Sequence, residues 1–416
     1  MTPYRSNATL RRRTFVGLIA VLVLATLGFM FFGPSGEPAP GNELGSSAGG
    51  TGAGAAVAAD AEQAAAAPPA YLAWMSGGFP SDLRARVRTV ESFTDTVVVA
   101  GDTQWMTRSA DADGRVIDRP TPLFAIPIDA FAVNPVEYEP FLSRDLRGSL
   151  VGALDRGEGV LSTRSAAIRG IGVGGTLSFA GRTVRIGAIA PDEAIGWSEL
   201  LVSREVGEDL GIVHDRYLLV LPDGKPDLDL FAREVGALLP QDTPLRVEKP
   251  GGSEFMRVAS GVDPPIVLKE AFGEFAARPD RRDPARLTIE PSWVRANIVT
   301  RSVPVLGRVT CNEKLMPALV ASLREVEREG LASLLHTYNG CWNARTVARS
   351  PTAPPSFHAY GAAIDINAAS NAYGATPTMD ERIVDIFERY GFTWGGNFLI
   401  PDGMHFEFGQ PMDEAA

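Results

Sequence analysis

Histidine and cysteine are both scarce here: four histidines and two cysteines in 416 residues. Two cysteines leave room for one disulfide at most. Positive charge is also in deficit, with 39 Lys and Arg against 50 Asp and Glu and a formal net charge of -11. So acidic a chain is a poor ligand for a phosphate backbone, which excludes nucleic acid as a partner class. Large apolar residues are almost missing from Pro34 to Ala70, a stretch of Gly, Ala, Pro and Ser. Such a stretch cannot bury enough surface to fold and reads as a flexible tether. Elsewhere the composition is ordinary, 45% hydrophobic and 21% charged, so a sizeable core is available. The length favours two folded domains over one.

The charge-free run from Phe15 to Gly33 follows Arg5, Arg11, Arg12 and Arg13. It approaches the roughly 20 residues that a bilayer-spanning helix needs. The arginines stay on the cytoplasmic side, which sends the rest of the chain outward. The organisation expected is a basic tail at 1–13, a transmembrane anchor at 14–33 and the tether at 34–70. A cleaved signal peptide is the competing reading, although no Ala-x-Ala site follows Phe32. A third is twin-arginine export, from Arg12-Arg13-Thr-Phe15-Val16. In an exported chain Cys311 and Cys341, which flank one predicted helix, pair as a disulfide; two free buried thiols are the alternative.

Residues 71–249 read as a mixed, β-rich domain. Leu177-Ser-Phe179 and Val184-Arg-Ile186 alternate around Ala180-Gly181, which predicts a hairpin. Ser203 caps a short helix ending at Gly211, Tyr217–Leu221 is a strand, and Phe231–Leu239 is a helix stopped by Pro240. His214 stands alone and reads as a structural or surface residue. Pro-Gly-Gly-Ser and Asp-Pro-Pro mark a second linker at 250–265, and 266–411 forms the last domain. There, Leu315, Leu319, Leu323 and Val326 line one face of a helix ending at Gly330. Thr378-Met-Asp-Glu381 reads as a capping box for a helix whose stripe is Ile383, Ile386, Phe387 and Tyr390. The fold class expected is α+β: a small antiparallel sheet with packed helices at the C-terminus, behind a β-rich domain and an N-terminal transmembrane helix.

Two of the four histidines fall in Ser356-Phe-His358-Ala-Tyr-Gly361-Ala-Ala-Ile-Asp365 and Asp402-Gly-Met-His405-Phe-Glu407. In Ala363–Asn367 a strand sends Ile364 and Ile366 inward, with Asp365 and Asn367 on the other face. In Met404–Phe408, Met404, Phe406 and Phe408 go inward, with His405 and Glu407 opposite. If the strands are neighbours, Asp365 and His405 converge, and His358 reaches in from the preceding loop. Two imidazoles and a carboxylate suit Zn2+ with an open position for water. Asp402 is placed to act as general base and acid. Arg345 offers a cationic fork for a substrate carboxylate, and Glu407 a group that orients a ligand. The bland alternatives are structural histidines, a plain Asp402-Gly403 turn, a surface ion pair for Arg345 and a turn role for Ser356.

At these residues the chain resembles the zinc D-alanyl-D-alanine carboxypeptidase and L-alanyl-D-glutamate endopeptidase family. The likeness rests on Ser-x-His-x-x-Gly-x-Ala-x-Asp and the Met-His-Phe strand. Asn339–Arg345 and Gly391–Gly396 extend it. It implies His358, Asp365 and His405 on zinc, Asp402 as general base and acid, Arg345 and Ser356 near the substrate, and peptidoglycan peptides as substrate. Many carboxypeptidase members carry Glu where Asp402 stands, so the bond cleaved stays open. Gly159–Thr163, Val173–Arg182, Leu201–Ser203 and Leu210-Gly211 resemble the extracytoplasmic domain of macrolide-exporter ABC permeases. That likeness implies a spacer or protein-contact module. The function expected is a zinc peptidase of the cell envelope, single-pass in the membrane with its C-terminal part outside. The alternative is an envelope scaffold whose middle domain binds a protein partner and whose peptidase fold is idle.

Overall fold

Gly181 takes φ +87°, a conformation open to a residue without Cβ, and the chain reverses there. It joins β6 (Thr176–Phe179) to β7 (Arg182–Ala190) as the expected antiparallel hairpin, with Leu177 and Val184 paired and buried. The computed structural model describes residues 67–75, 77–224, 227–241, 243–248 and 263–409. All lie within one unit, Ala55–Ala416. The expected basic tail, anchor, most of the tether and most of the second linker lie outside the described residues. Among the described residues, no helix is long and apolar enough to cross a membrane.

The hairpin belongs to a ten-stranded mixed sheet. Its other strands are β1 (Tyr71–Trp74), β2 (Phe93–Met106), β3 (Arg108–Ala110), β4 (Ile126–Val133), β5 (Gly159–Ser162), β8 (Leu200–Ser203), β9 (Asp215–Pro222) and β10 (Arg246–Glu248). The order is β10-β1-β9-β2-β4-β8-β5-β7-β6-β3. β4 with β8 and β5 with β7 are parallel; the other pairs are antiparallel. β4, β5 and β8 are buried along their whole length, as parallel strands covered on both faces must be. Along β4, Phe131 and Val133 enter one core while Ala130 and Ala132 enter the other. Ser203 caps Arg204–Leu210 by accepting the Val206 N–H at 3.4 Å, and Gly211 ends that helix at φ +83°. The helix expected at 231–239 instead runs Leu228–Ala237. The Asp227 carboxylate accepts the N–H groups of Asp229 and Leu230, so the helix starts three residues earlier.

The C-terminal region carries two hairpin-like pairs, β11 (Ala277–Pro279) with β12 (Leu287–Ile289) and β13 (Ile298–Val303) with β14 (Gly307–Asn312). It also carries a four-stranded antiparallel sheet. This sheet runs β15-β16-β18-β17, with β15 at Tyr338–Gly340, β16 at Ala363–Ile366, β17 at Phe392–Trp394 and β18 at His405–Phe408. The helix Met316–Arg328 turns Leu319, Leu323 and Val326 into the core, as its spacing predicts, and Gly330 follows at φ +71°. The helix Glu381–Arg389 buries Ile383, Ile386 and Phe387; the Phe387 ring lies 4.7 Å from that of Phe406. Its cap corrects the sequence reading. Asp380, one residue from the helix, accepts the Arg382 N–H at 3.0 Å. Thr378 is engaged elsewhere, donating to the Ser370 carbonyl and, through its N–H, to Asn371.

Where the large sheet meets the C-terminal region, four charges are buried together. Lys269, on the helix Pro265–Phe272, lies 2.8 Å from both Glu199 and Glu274; Arg169 lies 2.9 Å from Glu199 and 2.7 Å from Glu274. Arg169 and Glu199 are wholly enclosed. Ala125 and Ala277 exchange two backbone hydrogen bonds nearby, at 2.8 and 2.9 Å. Burial pushes the Glu274 carboxyl up, but Lys269 and Arg169 outweigh it and hold it down at about 2. A carboxyl lowered on folding contributes stability that is complete above its unfolded pKa and is lost as pH falls through the folded one. The unfolding free energy should therefore fall steeply between about pH 4.5 and 2. Glu274→Gln should flatten that fall and cost on the order of 3 kcal/mol at most at pH 7. Urea unfolding at stepped pH reads both; an unchanged slope in the variant would refute the assignment.

Candidate active site

β16 and β18 pair so that Asp365 lies directly opposite His405, and Ile364 opposite Phe406. Ile364, Ile366, Phe406 and Phe408 fill the core. Their alternation with polar residues leaves Asp365, His405 and Glu407 on the other face. Two neighbours depart from the simple alternation. Asn367 leaves the strand at φ +58°, and its Oδ1 accepts the N–H groups of His336 at 2.7 Å and Thr337 at 3.1 Å. It clamps a turn and does not share the face of Asp365. Met404 precedes β18, half-buried, with its N–H on the Asn371 carbonyl. His358 arrives on a single helical turn, Phe357–Tyr360, where a loop was expected. Gly361 ends that turn at φ +69°; a Cβ there would lie 2.6 Å from the Asn312 nitrogen.

The hydrogen bonds fix how each ring points. His358 Nδ1 lies 2.7 Å from the Cys341 carbonyl, which can only accept, so the proton is on Nδ1 and the Nε2 lone pair faces inward. His405 Nε2 lies 2.9 Å from Glu407 Oε1, which leaves Nδ1 as the inward atom. His358 Nε2 and His405 Nδ1 are 3.2 Å apart, and Asp365 Oδ1 lies 3.2 Å from the first and 2.9 Å from the second. Three electron-pair donors thus meet, all within 4.8 Å of one another. Such a cluster calls for a cation, either a proton or a metal ion. Burial pulls His405 down, yet the hydrogen bonds to Asp365 and Glu407 more than offset this and hold it up at about 10. Burial raises Asp365, but the two histidines dominate and drive it well below the carboxylate range. Together the donors would suit a divalent ion with nitrogen and oxygen preference.

The other expected residues surround this cluster. Asp402 donates its N–H to Gly395 at 2.8 Å and accepts that of His405 at 3.1 Å. Its Oδ1 is buried without a hydrogen-bond partner among the described residues. Burial pushes its carboxyl up, partly countered by His405. Arg345 is half-buried, and Nη1 reaches the Thr346 carbonyl at 3.4 Å. Burial lowers its pKa, while Asp365 and Asp402 act in the opposite direction across the site. The Arg345 carbonyl accepts the Ser356 N–H at 3.0 Å, so the two residues are joined at the backbone. Ser356 Oγ is buried without a partner among the described residues and does not cap the helix that carries His358. Cys311 and Cys341 form a disulfide with Cα atoms 5.4 Å apart. The second cysteine supplies the carbonyl that orients His358.

Two tyrosines lie within electrostatic reach of the site's carboxylates. Burial and then Asp365 push the Tyr338 phenol up; burial and then Asp402 do the same for Tyr373. Tyr338 pairs with Ile366 across the sheet and packs against the core on that side. Tyr373, more than half exposed, is drawn toward the Asp402 segment by the Gly374 N–H on the Pro401 carbonyl at 2.7 Å. Neither long-range pairing leaves a signal in local periodicity.

The periplasmic region of MacB from Actinobacillus actinomycetemcomitans is similar to 44% of this chain and 89% of its own, at 10% identity and a TM-score of 0.30. The extracellular domain of the noncanonic ABC-type transporter YknZ from Gram-positive bacteria gives 44%, 100%, 13% identity and 0.29. A domain of a putative permease protein from Porphyromonas gingivalis gives 45%, 94%, 15% identity and 0.28. No curated protein matches the chain. Residues 349–408 match the family described as D-alanyl-D-alanine carboxypeptidase, a span that holds Ser356, His358, Asp365, Asp402, His405 and Glu407 and leaves out Arg345 and both cysteines.

Proposed function

We propose that this chain is a zinc peptidase that hydrolyses peptide bonds in peptidoglycan stem peptides. One observation carries the reading: His358 Nε2, His405 Nδ1 and Asp365 Oδ1 point at one another, with both ring protons committed outward to Cys341 and Glu407. The family match over the same residues supports it and supplies the substrate class. His358, Asp365 and His405 would hold the ion. Zinc bound there supplies Lewis acidity, polarising the scissile carbonyl and acidifying a water toward neutral pKa. Asp402, with one buried oxygen unengaged, accepts the water proton and returns it to the leaving amine. Arg345 and the Ser356 hydroxyl, which has no partner among the described residues, bind a substrate carboxylate. Glu407 holds His405 in the tautomer that faces the ion. The basic, then apolar, N-terminus supports a membrane-anchored enzyme with its site on the cell-wall side.

Metal analysis of the soluble fragment after stripping and reloading should give one zinc per chain, and His358→Ala should lose it. If neither protein holds stoichiometric zinc, the reading fails. Glu407→Gln should fold and still bind zinc, about 10–100-fold more weakly, in a competition titration with a chelator. Asp402→Asn should keep its zinc while kcat on purified stem peptides drops by about 10²–10⁴-fold. Mass spectrometry of the products would name the bond. An Asp402→Asn enzyme with undiminished turnover would remove Asp402 from the chemistry.

A further inference from the structure

Arg345 and Ser356 stand at the two feet of one loop. The Ser356 N–H bonds the Arg345 carbonyl, Thr346 pairs with Pro355, and the Val347 N–H bonds the Pro354 carbonyl at 2.9 Å. The tip of this arm is strained: Ala348 and Arg349, neither a glycine, sit at φ +50° and +54°. Such a backbone persists only where its surroundings hold it. The tip is held by the large sheet. The Thr103 N–H on β2 bonds the Thr352 carbonyl at 2.8 Å, and Arg216 Nη2 on β9 bonds Thr352 Oγ1 at 3.1 Å. Arg216 is itself braced by the Gly101 carbonyl and by Asp102, 3.3 Å away. The Asp102 carboxylate is 1% exposed, and it also accepts the N–H groups of Val213 and His214 and meets His214 Nδ1 at 2.9 Å.

From this geometry we infer that the β-rich region is the positioning element of the peptidase site, with Thr352 as the positioning residue through which it acts. The inference rests on the peptidase reading above and goes beyond it by giving the region around β2 and β9 a task in substrate binding. Buried Asp102 fixes Arg216, Arg216 and Thr103 fix Thr352, and Thr352 holds the arm whose feet present Arg345 and Ser356. None of these groups touches the zinc ligands. Loss of the clamp should therefore loosen the hold on a substrate carboxylate and leave metal binding and the chemical step in place.

The test uses the whole extracytoplasmic part of the chain, zinc-loaded. Thr352→Val removes the hydroxyl that Arg216 binds, Arg216→Met removes its donor, and Thr352→Ser restores the bond. The two disruptive variants should raise KM for a stem peptide with a free carboxylate about tenfold, the worth of one hydrogen bond to a charged group, with kcat and zinc content within twofold. Hydrogen exchange of residues 346–355 should quicken in both, and Thr352→Ser should behave as wild type. Combining Thr352→Val with Arg216→Met should add little to either alone. Unchanged exchange, or faster exchange with unchanged KM in an active enzyme, overturns the proposal. A wild type without zinc or activity sinks the peptidase reading instead, while the exchange data still decide whether the sheet clamps the arm.

Discussion

The antiparallel register of β16 on β18 is the constraint on which the site depends. It places Asp365 opposite His405. Strand side chains alternate with a period of two, so a slip of β18 by one residue would send His405 into the core and bring Phe406 to the polar face beside Asp365. Burial of Phe406 and Phe408 against Phe387 and Phe392 makes that slip expensive. The packing that stabilises the sheet thus also specifies the chemistry on its other side. His358 needs a separate anchor because it comes from a different element. It finds one in the Gly361 turn, fitted against Asn312, and in the Cys341 carbonyl, held by the disulfide to β14.

Much of this was legible in the sequence, because it follows from local pattern. Alternation in Ala363–Ile366 and His405–Phe408 exposed the two strands and their polar face. The 3.6-residue stripe of Leu315–Val326 exposed the helix behind them. What was hidden had non-local or competing causes. Thr378 has the sequence of a cap but is drawn into the loop that Asn371 organises, so Asp380 caps instead. Asn367 continues the alternation on paper, yet its carboxamide is better satisfied by the backbone of His336 and Thr337. Tyr338 and Tyr373 come within electrostatic reach of Asp365 and Asp402 through contacts between distant segments. His214 read as a solitary residue and proves to be a partner of buried Asp102.

The site is also built in depth. Each histidine has its outward nitrogen engaged by an acceptor, a backbone carbonyl for one and a carboxylate for the other. The inward atoms are therefore presented without a choice of tautomer. Around them the polar groups divide into those already satisfied and those left open. Asn367 is engaged at both its oxygen and its nitrogen, and Glu407 Oε1 meets His405 Nε2. Asp402 Oδ1 and Ser356 Oγ are buried and unengaged among the described residues. Both residues lie on the segments that carry the histidines, Ser356 two residues before His358 and Asp402 three before His405.

The buried charges at the junction with the large sheet have one further property. Arg169 and Glu199 come from the sheet region, Lys269 and Glu274 from the C-terminal region, and each side already contains an ion pair of its own, at 2.9 and 2.8 Å. Parting the two regions would strand no charge on either surface, although breaking a buried pair by removing one partner commonly costs several kcal/mol. Each region thus carries a charge-balanced pair of its own. What the junction selects for is alignment: a misplaced docking would bury two neutral pairs side by side without the crossed contacts that join them. The crossed contacts, Arg169 with Glu274 and Lys269 with Glu199, form only when the two regions are aligned.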